Sequence, residues 1–130
     1  MSGRLKSLVW MATLALIGLI AWVIYLANTG QSSIFFSLVR QLPYGDKLGH
    51  FTLFGLVTLG LNLMSGGRGW RCGPLKVYWG ATLVFVVAAL EEFSQAWFPN
   101  RTLDSTDLMA DVLGILVFSL LSRVLLRRLG

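Results

Sequence analysis

The chain has 130 residues, 55% of them hydrophobic and 13% charged, with a net charge of +5 and a mean hydropathy of +0.70. A soluble domain carries about 25% charged residues, so this balance excludes an ordinary water-soluble fold and points to one membrane-embedded domain over residues 1–130. The basic residues flank apolar runs, which assigns them to membrane orientation and anionic lipid and argues against nucleic acid as a partner.

Continuous apolar runs without period-two alternation make helices the spanning elements. The first predicted span covers residues 8–27, about the length needed to cross a hydrocarbon core. Arg4 and Lys6 precede it as in a signal peptide, but the run is longer than an h-region and Tyr25-Leu26-Ala27 is a poor cleavage site, so an uncleaved helix is expected. Over 32–42, Ile34, Phe35, Leu38, Val39 and Leu42 recur at helical spacing, which predicts a short helix lying in the interface plane. Pro43-Tyr44-Gly45 turns the chain into a second span at 48–64. A third span is expected at 75–98, opened by Pro74 and closed by Pro99, and a fourth at 105–126. The fold class is therefore an all-α membrane protein, a bundle of four transmembrane helices with one interfacial helix between the first two. Cys72, alone, allows neither an internal disulfide nor a zinc-thiolate site.

Four spans put both termini and the loop between spans two and three on one side. Arg4, Lys6, Arg68, Arg71, Lys76, Arg123, Arg127 and Arg128 lie there, against Arg40, Lys47 and Arg101 opposite. The positive-inside rule then predicts cytoplasmic termini.

The acidic residues are distributed differently. All six, Asp46, Glu91, Glu92, Asp104, Asp107 and Asp111, lie within or beside the apolar spans, and none lies in the basic ends. A carboxylate at membrane depth costs roughly 2.5–3.5 kcal/mol and persists where it meets a partner or a wet cavity, so it marks a functional site by default. With four spans, these acids, Lys47, the single His50, Gln95 and Arg101 all fall near the outer face. Asp46 with His50, Glu91 with Gln95, and Asp107 with Asp111 are i,i+4 pairs on shared helix faces. Asp104 and Asp107 also suit the N-terminus of span four as caps, and Lys47 suits snorkelling. Neither role accounts for adjacent Glu91 and Glu92 inside an apolar helix, of which Glu92, three residues before Gln95, is the expected principal. No polar line is expected to continue towards the cytoplasm, which disfavours a channel.

The segments Asp46-Lys47-Leu48-Gly49-His50-Phe51, Glu91-Glu92-Phe93-Ser94-Gln95, Pro99-Asn100-Arg101 and Asp104…Asp107…Asp111…Gly114 resemble the VanZ-like family of small bacterial membrane proteins. The resemblance covers 46–114 in the family's order and spacing. It implies a multi-pass protein of the bacterial cytoplasmic membrane, in a family named for a teicoplanin-resistance factor. Two positions depart from the commonest pattern. Asp111 stands where many members have Asn, and Glu91 where some have Asp or an apolar residue.

Three functions fit these residues. The first in rank is an outward-facing acidic pocket that binds a lipid headgroup, a lipid-linked cell-wall precursor or a lipoglycopeptide. Its ligand-binding residues would be Asp46, Lys47, His50, Glu91, Glu92, Gln95, Arg101, Asp104, Asp107 and Asp111. The second is an outer-leaflet hydrolase or transferase, with Glu92 or Asp107 as general base, His50 as acid or base, and Arg101 and Lys47 holding phosphate or carboxylate. A divalent cation on Glu92, Asp107 and Asp111 would suit oxygen ligands. No Ser or Cys nucleophile motif or phosphate-binding Gly loop supports the enzyme. The third is a charge network that locks helices together within a structural or assembly subunit.

Overall fold

The computed structural model describes residues 2–29, 41, 45–97 and 105–129. The interfacial helix expected at 32–42, Pro99 as a helix stop, and the positions Arg101 and Asp104 lie outside these residues. The described chain is mostly helical: α1 (Gly3–Asn28), α2 (Gly45–Met64), α3 (Trp79–Ser94) and α4 (Ser105–Leu129), with a short hairpin β1 (Gly69–Cys72) and β2 (Leu75–Tyr78) between α2 and α3. A 3-10 turn, Gln95–Trp97, ends α3.

Among the described residues, two helices are long and apolar enough to cross a membrane, over Gly3–Leu26 and Ser105–Leu129. α3 is shorter than the sequence suggested. Its 16 residues rise about 24 Å, against a hydrocarbon core of ~30 Å. The expected start at residue 75 is corrected by the hairpin, in which Trp70 pairs with Val77 and Arg71 with Lys76. Pro74, expected to open the helix, sits instead in the two-residue turn. Gly73 at φ +63° supplies the positive φ that such a turn requires at its first position. Val77 and Tyr78 favour a strand once this turn is set, and Trp70 Nε1 donates to Thr82 Oγ1 at 2.9 Å, tying the hairpin to α3.

α2 ends in a glycine cap. Gly66, at φ +68°, donates to the Leu63 carbonyl at 3.1 Å, and Gly67 donates to the Asn62 carbonyl at 2.9 Å. This is the Schellman arrangement, which satisfies the orphan carbonyls of a helix end.

The other three helices all pack on α2, and α3 also packs on α4. The shared core is small and apolar: Phe54 and Val57 of α2, Ala81, Val84 and Ala88 of α3, and Ile115 of α4. Glycines set the closest approaches. A Cβ on Gly114 would strike the backbone carbonyl of Phe51, one on Gly80 would strike Asn62, and one on Gly60 would strike Thr13 of α1. Close approach through small residues is how helices associate where lipid removes the hydrophobic drive between them. The outward faces are apolar in turn: Leu8, Met11, Leu14 and Trp22 on α1, Leu83, Leu90 and Phe93 on α3, and Leu116 and Leu120 on α4 are all exposed. A surface of this kind suits lipid contact and would be an aggregation liability in water.

Candidate functional site

The start of α2, the end of α3 and the start of α4 meet at one end of the helix cluster, and the charged side chains meet with them. Lys47 Nζ donates to Asp107 Oδ1 at 2.5 Å. One turn further along both helices, His50 Nδ1 lies 2.8 Å from Asp111 Oδ1, while its Nε2 faces Asp107 Oδ2 at 3.8 Å. The imidazole therefore stands between the two aspartates that the i,i+4 spacing of α4 places on one face. Phe54, four residues along α2, stacks on the imidazole at 5.8 Å between ring centroids.

Exposure is graded with depth. The side chains of Lys47, His50 and Asp107 are 25%, 21% and 14% exposed, and that of Asp111 is wholly buried. Among the described residues, Asp111 Oδ2 has no hydrogen-bond partner. The site thus has a partly open rim of mixed charge over a buried acceptor.

α3 contributes a second group of acids. Gln95 Nε2 lies 3.2 and 3.1 Å from the two carboxylate oxygens of Glu91 and 3.2 Å from Glu92 Oε2. All three residues are buried. The amide serves both glutamates, so the three-residue spacing from Glu92 does not single that residue out. Glu91 stands near enough for its charge to act on both His50 and Asp111. The structure thus groups Lys47, His50, Asp107, Asp111 and Glu91, with Glu92 and Gln95 beside them. Asp46 lies in the first turn of α2, and its side chain is outside what is described. Among the described residues, no three His, Cys, Asp or Glu side chains are grouped so as to hold a metal ion, so Glu92, Asp107 and Asp111 do not form one donor set.

A polar layer that sequence reasoning missed lies deeper between α2 and α4. Asn62 Nδ2 donates to Ser122 Oγ at 3.1 Å, with a longer contact of 3.5 Å to Ser119 Oγ. Ser122 in turn donates to the Phe118 carbonyl at 2.7 Å, and Thr58 donates to the Phe54 carbonyl at 2.8 Å. Asn62, Thr58 and Ser122 are fully buried. Buried polar groups therefore continue past mid-depth, contrary to the expectation that they stop there, although Phe54, Val57 and Ile115 form an apolar layer in between. The signal was present in the spacing. His50, Phe54, Thr58 and Asn62 follow at i,i+4, and Ser122 lies three turns beyond Asp111 on the same face.

The family model of VanZ/LLP1 matches residues 5–126. No curated protein and no solved structure gives a match. The chain belongs to the VanZ/LLP1 family, and this membership together with the two long apolar helices points to a membrane protein.

Proposed function

We propose that this VanZ-like protein crosses the bacterial cytoplasmic membrane four times with both termini inside, and that its acidic end opens outward to bind an envelope component. That component is a lipid headgroup, a lipid-linked cell-wall precursor or a lipoglycopeptide of the teicoplanin type. Such molecules carry hydroxyl or ammonium donors beside phosphate or carboxylate. The Asp107, Asp111 and Glu91 carboxylates match the donors, while Arg101 and Lys47 match the anionic part. The four-span reading is supported by the basic count and by the exposed apolar faces of α1, α3 and α4. The 3-10 turn at Gln95–Trp97 lengthens α3 towards the span it needs.

One observation carries the binding reading: a partly exposed His50 is held by buried Asp111 at 2.8 Å with its other nitrogen turned towards Asp107 at the rim. Charges that served only to lock helices would gain nothing from that partial opening. The same geometry favours one alternative, a membrane enzyme in which Asp111 orients His50 as general acid or base. The experiment is reconstitution in bilayers of envelope lipids and lipid-linked precursors, with bound and altered species identified by mass spectrometry. A binder retains a specific molecule unaltered and loses it in Asp107→Asn. An enzyme converts the molecule, and His50→Ala lowers turnover by about 10²–10⁴ while binding persists. Neither binding nor turnover by the folded protein would count against both and leave the charges as a structural lock.

A further inference from the structure

At the opposite end of the molecule lies an open cleft of about 300 Å³, walled by Gly66 and Gly67 after α2, Lys76 and Tyr78 of β2, and Arg123 and Arg127 of α4. It is separate from the acidic site, although α2 and α4 run to both, and its basic residues carry no ligand-binding role in the proposed function. Its volume is at the lower end of the range for small-ligand clefts.

The charge arrangement is what calls for a ligand. Arg123 and Arg127 are i,i+4 neighbours, where like charges repel on a helix. Lys76 comes from a different element, with Arg71 directly opposite it in the hairpin register, and like charges facing across a strand pair are also unfavourable. Among the described residues no acidic side chain lines the cleft, and Asp107 and Asp111 on α4 lie three or more turns before Arg123. The partial negative charge at the C-terminus of α4 accounts for Arg127 and Arg128 in its last turn. Membrane orientation accounts for the number of basic residues on this side, but neither effect requires Lys76, Arg123 and Arg127 to line one opening, where the hairpin brings Lys76. Tyr78 adds an aromatic wall, with the Lys76 ammonium 5.6 Å from its ring centroid, and Gly67 keeps the floor clear, because a Cβ there would meet Leu126 and approach Tyr78.

We infer that this cleft, lined by Lys76, Arg123 and Arg127, binds a phosphate mono- or diester. The phosphate comes either from an anionic lipid headgroup at the membrane surface or from a phosphorylated solute. Two arginines and a lysine lining one small opening match the charge of a phosphate and the donors it accepts.

The full chain is reconstituted in phosphatidylcholine nanodiscs, with phosphatidylglycerol added in one arm and inorganic phosphate in the other. Lipid retained by the protein is measured by mass spectrometry in high salt, where diffuse surface attraction is screened. Unfolding temperature is followed in both arms. Wild-type protein should retain phosphatidylglycerol above its bulk share. That enrichment should fall about tenfold or more for each cation removed in Lys76→Gln and in Arg123→Gln/Arg127→Gln, the loss expected of a charge-assisted hydrogen bond. Arg4→Gln/Lys6→Gln, basic positions on α1 outside the cleft, should change it less than about twofold, because high salt screens their diffuse attraction. Stabilisation by inorganic phosphate that the cleft variants lose would assign the site to a solute and uphold the phosphate chemistry. Equal losses in the α1 control and the cleft variants would overturn the proposal, as would no response of wild-type protein to either probe. If the double arginine variant does not fold, Lys76→Gln decides alone, because its side chain is exposed on the hairpin and holds no helix packing.

Discussion

Removing His50 should cost more than removing the carboxylate it holds. His50→Phe keeps a ring against Phe54 but takes away the 2.8 Å contact to Asp111. Asp111 is wholly buried, and its other oxygen already has no partner among the described residues, so the substitution strands a carboxylate in the interior. Breaking a buried pair from one side costs about 3–5 kcal/mol, and relaxation near a partly open rim favours the lower figure, about 3 kcal/mol. Asp111→Leu leaves the imidazole instead, which is 21% exposed and still faces Asp107. Water and that second acid serve the stranded group, so the cost should be about 1 kcal/mol. The double variant replaces the pair with apolar groups of similar size and should recover most of the loss, because such replacements are often neutral or better. The assay is reversible unfolding in mixed micelles by titration with dodecyl sulfate, followed by circular dichroism and tryptophan fluorescence. At 1.4 kcal/mol per factor of ten, a 3 kcal/mol loss changes the folded-to-unfolded ratio about 150-fold. Additive single-variant costs, or His50→Phe no less stable than Asp111→Leu, would refute the reasoning.

Two further outcomes are expected. Gly114→Ala should destabilise by about 1–3 kcal/mol in the same assay, because its Cβ meets the Phe51 carbonyl of a helix backbone. Gly55→Ala, which meets the rotatable Phe118 ring, should cost less, and equal costs would show that the two helices do not approach as described. A reporter active only outside the cytoplasm should be silent when fused after Gly130 and active when inserted near Asn100, and the reverse pattern would overturn the outward orientation of the acidic end.

The parts of the fold legible in the sequence were those where one physical term dominates. Charges at membrane depth are costly enough that Lys47, His50, Asp107 and Asp111 were readable within one group before any geometry, and the i,i+3 spacing of Lys47 and His50 and the i,i+4 spacing of Asp107 and Asp111 carried them onto facing sides of α2 and α4. Apolar length likewise gave α1 and α4. The start of α3 was missed because Pro74 suits either a helix start or a turn, and the choice was made by Gly73 at φ +63° and by strand pairing with Trp70 and Arg71. Such pairing depends on partners that hydropathy does not register. Asn62, Thr58 and Ser122 were missed for a related reason. Each is uncharged and sits in or at the edge of a leucine- and valine-rich run, so the run average conceals it, and only the shared face with His50 and Asp111 reveals it.

The glycine contacts also limit how this molecule can move. α3 and α4 touch α2 at Gly80 and Gly114, and α2 touches α1 at Gly60, each where a single Cβ would collide. Sliding α4 by about one turn along its axis would bring Ala110, Asp111, Val117 or Phe118 to the place where Gly114 fits against Phe51. Translation is therefore blocked at these points, while tilting about them is not. Tilting about the glycine contacts, next to the apolar layer of Phe54, Val57 and Ile115, is the relative helix movement that this packing hinders least. A bulky residue at one of these points would jam the pivot as well as weaken the packing.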